Sequence, residues 1–438
     1  MSQRATTSYE SPQADASGSV LEMRKQAADN AEFLRDCLAE QKRTVTKLPS
    51  IQEHAEPHPA APGGPANPMD RPKHSVWRQI LRLDELITWF NLCCAFIHTL
   101  QWLVVPLYFI NKKWFYRGMD YTRQQFGILI ITVTQWFSPT VVRVSGDSSV
   151  QHQIIRTSDG RLETRFPERM IFLANHQIYT EWLYLWWIAY TSNMHGAIYI
   201  ILKDVLQWIP ALGPGMKFFG FIFLARNWTK DKARLLYRLQ KLKQPQRYPG
   251  QKPPKLDPMW LLIFPEGTNL SANTRKRSAA YAAKENIQDL EHLLLPRSTG
   301  LLYCLRELKG TIDWVYDCTM AYEGVPRGGY AQDLFTLRSV FLQGRPPKSV
   351  NMYWRRINVR DIPIEDDVAF GQWLMYQWLK KESLIEHYVQ HGRFPAMPRG
   401  KGHIETEVKL ASALEISQIF VASVVAMLLG LFVVISKT

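Results

Sequence analysis

The sequence predicts an α/β fold: a mainly buried sheet flanked by helices, with an N-terminal membrane helical hairpin and a C-terminal transmembrane helix. Two observations predict it. From about Thr140 to Ile364, short apolar strand-like runs alternate with helical patterns. Outside that region lie longer apolar segments with no acid, Lys or Arg, at Leu86–Ile110 and Ile416–Ile435.

In chain order, residues 1–75 read as a disordered polar tail. It ends in "EPHPAAPGGPANPMDRP", too poor in apolar residues to fold alone, and holds one short helix near Val20–Thr44. Residues 76–139 read as the membrane hairpin. Its first arm is Leu86–Ile110, with Trp89, Trp102 and Tyr108 placed for the interfaces. Its second arm, Phe126–Phe137, is short for a full span and precedes Ser-Pro, so the pair fits a hairpin dipping into one leaflet. Residues 140–400 read as a catalytic domain with a C-terminal extension. Strands are expected at "TVVRV", "MIFLANH", "AIYII", "FGFIFLAR", "MWLLIFPEG", "WVYDCTMAY" and "VNMYWRRINV", with a hairpin turn at "SDGR". Helices are expected at Asp231–Lys243 and Thr299–Leu308. Residues 410–438 read as the anchor. Arg399, Lys401 and Lys409 precede the last apolar segment and only Lys437 follows it, which places the region before it in the cytosol. Two glycosylation sequons, Asn227-Trp-Thr229 and Asn269-Leu-Ser271, lie beside the motifs described next and are expected to stay unmodified.

A formal net charge of +14 suits nucleic acid, anionic lipid or an acidic small molecule such as a coenzyme A thioester. There is no zinc-type Cys/His spacing, no RNP signature and no Walker loop, so no nucleic-acid partner and no metal are expected. The five cysteines form no CxxC, and a reducing compartment is the inference for the globular part.

Three stretches carry chemistry. In "IFLANHQIYTEW" an apolar strand ends on Asn175-His176, with Glu181 five residues beyond the histidine. On a continuous helix that spacing separates two side chains by about 140°. A helix starting only after His176 lets Glu181 swing back to the imidazole, fix its tautomer and stabilise its protonated form. The histidine then takes a proton from a substrate alcohol, with no Ser or Cys nucleophile needed. In "IFPEGT", Gly267 permits close backbone approach and successive N–H groups face an anion, while Glu266 orients a basic residue or a substrate hydroxyl. In "FGFIFLAR", Arg226 ends an apolar strand, where a guanidinium needs an anionic partner such as phosphate. Singly, each stretch also reads as a structural turn or salt bridge. Together they place a base, an arginine and a glycine turn at strand ends, where open α/β sheets collect ligands.

These stretches resemble the motifs of the glycerolipid (1-acylglycerol-3-phosphate/PlsC-like) acyltransferases. "NHQIYTEW" resembles their NHx₄D box, "FGFIFLAR" the second and "IFPEGTN" the FPEGT box. "LLLPRSTG" resembles the fourth, which contains Pro296. "FPEGTNLSANTRKRS", "HLLLPRSTG" and "DCTMAYEGVP" are similar to the lysocardiolipin/lysophosphatidylinositol branch. The resemblance implies transfer of a fatty acyl chain from acyl-CoA to a lysophospholipid hydroxyl at the endoplasmic reticulum membrane, with the catalytic domain facing the cytosol. It implies no cofactor beyond acyl-CoA as co-substrate, and leaves protein partners undefined. By motif position His176 is the general base, Glu181 its partner, and Arg226, Glu266, Gly267 and Thr268 hold the acceptor. Two positions depart from the family pattern. Glu181 stands where most members carry Asp, and Asn269 where many carry Arg. The missing charge then falls to Arg275, Lys276, Arg277 or Arg297.

The basic stretch Lys230–Lys255 contains an amphipathic helix, with Leu235, Leu236, Leu239 and Leu242 on one side and Lys232, Arg234, Arg238 and Lys241 around it. It reads either as a solvated face or as contact with anionic lipid or coenzyme A phosphates. Lysophosphatidylinositol is the expected acceptor, with lysophosphatidic acid or lysocardiolipin as alternatives. A lipid hydrolase would need a GxSxG elbow, which is absent. A non-catalytic tail-anchored lipid-binding protein is the other class.

Overall fold

The apolar runs condense into one sheet because each is covered by helices on both faces. The structure, a computed structural model, describes residues 61, 64–245, 255–398 and 402–436. The helix expected near Val20–Thr44 lies outside them, as do Arg399, Lys401 and Lys437. The strands are β1 (Val141–Gly146), β2 (Ile154–Arg156), β3 (Leu162–Thr164), β4 (Arg169–Ala174) and β5 (Ile198–Lys203). They continue with β6 (Ile222–Leu224), β7 (Met259–Ile263), β8 (Trp314–Tyr322), β9 (Ser349–Asn358) and β10 (Ile404–Glu407). Eight form a sheet in the order β10-β1-β9-β8-β4-β7-β5-β6, and β2 and β3 pair separately around the Ser-Asp-Gly-Arg turn. From β8 through β4, β7 and β5 to β6 the strands run parallel. Their carboxyl ends therefore share one edge. β9 pairs antiparallel to β8, and β10 antiparallel to β1 at the far edge.

The main helices are α1 (Val76–Val104), α2 (Lys112–Phe137), α3 (Glu181–Thr191), α4 (Leu212–Phe218) and α5 (Trp228–Leu242). They continue with α6 (Ala272–Lys284), α7 (Ser298–Leu308), α8 (Asp367–His391) and α9 (Gln418–Ile435). Strand alternation divides the core in two. Met170, Phe172 and Ala174 of β4 face the layer of α2 and α3. Ile171 and Leu173 face the layer of α5, α7 and α8.

Among the described residues, one helical stretch, Val76–Ile110, is long and apolar enough to cross a membrane; a shorter apolar helix spans Ala413–Leu429. The two lie together: Ser423 Oγ of α9 donates to the Phe96 carbonyl of α1 at 2.8 Å, and the Phe420 ring packs on Trp89 and Phe96. Their outer faces leave Ile87, Leu92 and Trp102 on α1 and Leu428, Leu431 and Phe432 on α9 exposed. The second arm of the expected hairpin has a different environment. Phe126, Ile128, Leu129, Ile130 and Ile131 of α2 are each 4% exposed or less, and Phe126 packs its ring on Trp186 of α3. This apolar run is short because it covers a sheet face, not because it stops partway through a leaflet.

On the opposite face a buried ion network ties α8 to the sheet. Asp317 of β8 meets Lys381 Nζ at 2.6 Å and Arg355 of β9 at 2.5 Å. Lys381 also donates to the Cys318 carbonyl at 2.6 Å. Burial pushes the Asp317 carboxyl up, but Lys381 and then Arg355 outweigh it and hold it below its ordinary value. Lys381→Met leaves Asp317 short of a partner in a dry site, which costs about 3–5 kcal/mol. The expected result is a marked drop in the unfolding midpoint of the detergent-solubilised protein, with Lys381→Arg retaining part of the loss.

Candidate active site

β4 ends at Ala174, and the next side chain extends the sheet in place of main chain. The buried Asn175 amide donates to the Met320 carbonyl at 3.0 Å and accepts from Met320 N–H at 2.8 Å. Asparagine offers both a donor and an acceptor, so it satisfies β8 where β4 leaves it. His176 follows at the carboxyl edge. Helix α3 starts only at Glu181, so residues 176–180 are free to fold back.

What folds them back is the Glu181 carboxylate, which is fully buried. Its Oε1 accepts from Gln177 N–H at 2.7 Å, Ile178 N–H at 3.3 Å and the Tyr322 hydroxyl at 2.9 Å. Its Oε2 lies 2.6 Å from His176 Nδ1. A carboxylate only accepts, so Nδ1 carries the ring proton and Nε2 keeps its lone pair. The ring stacks on Phe264 at 4.5 Å between centroids and stays partly exposed. Nε2 has no hydrogen-bond partner among the described residues. Burial, then the Glu181 charge, push the Tyr322 phenol well above its ordinary value, so it remains a donor.

Beside the histidine, β7 turns sharply. Gly267 N–H donates to the Phe264 carbonyl at 2.9 Å around Pro265 and Glu266. Pro265 pre-sets the bend, and Gly267 takes φ +69°, which side-chain-bearing residues adopt only with strain. Glu266 is buried, and its Oε1 accepts from His176 N–H at 3.4 Å. Burial first, and then the Glu181 charge, raise its carboxyl well above the ordinary range, favouring the uncharged form. Leu270 N–H donates to the His176 carbonyl at 2.8 Å, so the two loops are bound to each other on both sides of the ring.

Arg226 leaves β6 at φ +64°, a left-handed conformation uncommon for arginine. Buried Asp231 of α5 holds it there, accepting from Ala225 N–H at 2.8 Å and Asn227 N–H at 2.9 Å. The Arg226 guanidinium donates to the Gly267 carbonyl at 2.6 Å. Arg297 reaches the same place: its N–H donates to the Pro265 carbonyl at 2.8 Å, and its Cδ passes 3.6 Å from where a Cβ on Gly267 would stand. Burial, then the charge of Arg297, lower the Arg226 guanidinium. Neither arginine has a carboxylate partner among the described residues. Both side chains are exposed, so two adjacent guanidiniums present free donors of the kind that pair with an anion such as phosphate.

The structure thus brings His176, Glu181, Arg226, Glu266, Gly267 and Arg297 together, with Thr268 and Pro296 beside them in the same loops. Arg275 is engaged elsewhere, ion-paired with Asp289 and donating to the Leu293 carbonyl at 2.5 Å. Lys276 and Arg277 are exposed on α6. Asn269 donates to the Gln332 side chain. Of the four cations that were candidates to supply the missing charge, Arg297 is the one beside Arg226. Sequence reasoning missed Asp231 and Tyr322. Asp231 was readable as an acid in the first turn of a helix capped by Asn227. Tyr322 has no local signal, because it meets Glu181 across 141 positions of sequence.

Residues 142–323 match the family model described as Acyltransferase, and residues 340–417 the one described as Acyltransferase C-terminus. A Saccharomyces cerevisiae protein named 2-acyl-1-lysophosphatidylinositol acyltransferase is 34% identical over 374 residues, covering 80% of this chain and 94% of that one. The chain belongs to the acyltransferase family. An uncharacterized acyltransferase of Schizosaccharomyces pombe is 36% identical over 347 residues, covering 78% of this chain and 95% of that one. Lysocardiolipin acyltransferase 1 of Gallus gallus is 27% identical over 292 residues, covering 66% and 68%. In this acyltransferase the first motif supplies the imidazole and its carboxylate, while the second, third and fourth converge on one cationic loop cluster.

Tyr322→Phe removes a buried donor to Glu181 while keeping the ring. A lost hydrogen bond to a charged group is worth about 1.5–3 kcal/mol. The expected outcome is a fall in kcat of roughly tenfold or more by the relation of about 1.4 kcal/mol per decade, with little change in KM, checked by steady-state acyl transfer.

Proposed function

We propose that this acyltransferase moves a fatty acyl group from acyl-CoA to the free glycerol hydroxyl of a lysophospholipid, with lysophosphatidylinositol as the preferred acceptor. The observation that carries the reading is one joined cluster of loops: an imidazole backed by a carboxylate, beside paired guanidiniums with no carboxylate partner among the described residues. The name of the S. cerevisiae relative supports the headgroup. Relatives named for lysocardiolipin and for 1-acyl-sn-glycerol-3-phosphate keep those acceptors as outcomes of the test.

In this mechanism Arg226 and Arg297 hold the acceptor phosphate. His176 Nε2 takes the proton of the glycerol hydroxyl as its oxygen attacks the thioester carbonyl. The protonated ring is stabilised by Glu181. Collapse of the tetrahedral adduct breaks the carbon–sulfur bond, and the imidazolium returns its proton to the departing coenzyme A thiolate. The thioester is already reactive, so no acyl-enzyme is required. General-base catalysis of this type contributes on the order of 10²–10⁴-fold. The apolar helix at Val76–Ile110, with α9 against it, holds the enzyme in the endoplasmic reticulum membrane with the cleft facing the cytosol.

The deciding experiment assays purified protein with labelled acyl-CoA against a panel of lysophospholipids. Transfer is expected fastest to lysophosphatidylinositol; release of free fatty acid without acceptor would indicate a hydrolase, and neither product a binding protein. His176→Ala should lower transfer at least 100-fold, within the general-base range of about 10²–10⁴, while the variant still fractionates with membranes. For the topology, native protein should show no mobility change on enzymatic deglycosylation. A glycan on Asn227 or Asn269 would put the cleft on the lumenal side.

A further inference from the structure

At the other end of the same strands lies a cavity of about 250 Å³ that the reaction does not use. Its walls include Arg169 and Met259, the first residues of β4 and β7, and Tyr199 near the start of β5. His176 is seven positions beyond Arg169, about 20 Å away at roughly 3.3 Å per residue of strand. The remaining walls come from the first half of α2, the end of α4 and the last turns of α5.

The cavity is cationic. Among the described residues, Arg123, Arg169, Lys217, Arg238 and Lys241 line it, with Asp120 and Asp257 as the acids. Arg123 is 3% exposed; it donates to the Gly196 carbonyl at 2.8 Å, approaches Asp120 at 3.4 Å and stacks 4.4 Å over the Tyr199 ring. Its Nε is buried with no hydrogen-bond partner. Among the described residues, Arg169 donates to neutral acceptors, chiefly the carbonyls of Thr311, Leu242 and Asp257. Arg238 and Lys217 rest on the rings of Tyr237 and Trp208, and neither has an ion-pair partner among the described residues. Tyr108, Tyr116, Tyr199 and Tyr237 also line the cavity, and no phenol oxygen among them has a hydrogen-bond partner among the described residues. One buried arginine with an unused Nε–H, joined by part-buried Arg169 and Arg238 and by Lys217 at the mouth, offers donors to an anion bearing several oxygens.

The surroundings identify its source. Tyr108 belongs to the end of the membrane-length helix, and the next residues, Phe109 and Ile110, are 84% and 78% exposed. Trp208, beneath Lys217, is 70% exposed, and Trp114 lies beside Arg117. Aromatic and aliphatic groups paired with cations are the pattern of a bilayer interface. We propose that this cavity is a second lipid site, which binds the phosphate headgroup of an anionic membrane phospholipid while its acyl chains run out over the Phe109–Trp208 rim. The site orients the enzyme on anionic membrane independently of the acceptor in the cleft. It does not rest on the reaction proposed above.

The test titrates the full-length protein in detergent with dioctanoyl phosphatidic acid, dioctanoyl phosphatidylcholine and inorganic phosphate, and reads binding by calorimetry. Wild type and Arg226→Ala should share one phosphatidic acid binding event of the same affinity, and that event should weaken at least tenfold in the Lys217→Gln/Arg238→Gln variant. Unchanged binding by the double variant, or loss in Arg226→Ala instead, would overturn the site. Phosphatidylcholine binding as tightly would overturn its charge selectivity, and inorganic phosphate binding as tightly would make the source a free anion rather than a lipid. Should the double variant fail to fold, a diazirine-labelled phosphatidic acid is crosslinked to the wild type. Labelled peptides from residues 108–123 or 237–244 support the proposal, and label confined to residues 264–270 or 293–300 refutes it.

Discussion

The active centre depends on one buried carboxylate that accepts from several directions at once. Glu181 stands at the first turn of its helix, where the partial positive charge of unpaired N–H groups favours an anion. It gathers two N–H groups of the preceding loop, a tyrosine hydroxyl from a distant strand and the imidazole. The loop that carries His176 has no regular hydrogen bonds of its own, so this carboxylate takes the place of secondary structure. The same contacts that fix the ring also fix the backbone beneath it. Positioning and electronics therefore cannot be separated at this residue.

Around that anchor the other motifs are held by bonds between loops rather than by their own sequence. The glycine turn is bound to the histidine loop through Glu266 and Leu270. The proline-containing box is bound to the turn through Arg297 N–H. Asp231 fixes the unusual backbone at Arg226. Arg226 and Arg297 are thus each held in place by bonds to a neighbouring segment. The longer carboxylate arm at Glu181 is accommodated in the same way: its extra methylene carries the oxygens to main-chain donors while still reaching Nδ1.

Much of this was legible in the sequence. The strands from "TVVRV" to "VNMYWRRINV" read correctly because buried strands are written as short apolar runs bounded by turn residues. Most of the motif residues fall at one place because they follow those runs directly, while Arg275 and Arg277, further along the chain, do not join them. What was hidden depends on distance. β10 is "IETE", whose alternating acids suit an edge strand and look like loop. The α8 network joins Asp317, Arg355 and Lys381, each of which looks alone like a surface charge. Phe126–Phe137 has the composition of a membrane segment, and composition does not distinguish lipid from protein as the apolar neighbour.

That covered helix also decides where the polypeptide may be cut. A fragment beginning at β1 looks attractive as a water-soluble catalytic core, since it keeps every motif. It would nevertheless strip Ile128, Leu129 and Ile131 from the sheet and uncover Trp186 and Phe219, which pack against Phe126. Such a truncation would exchange one exposed apolar surface for a larger one, so solubilisation has to replace the exposed apolar side chains of α1 and α9 and leave α2 in place.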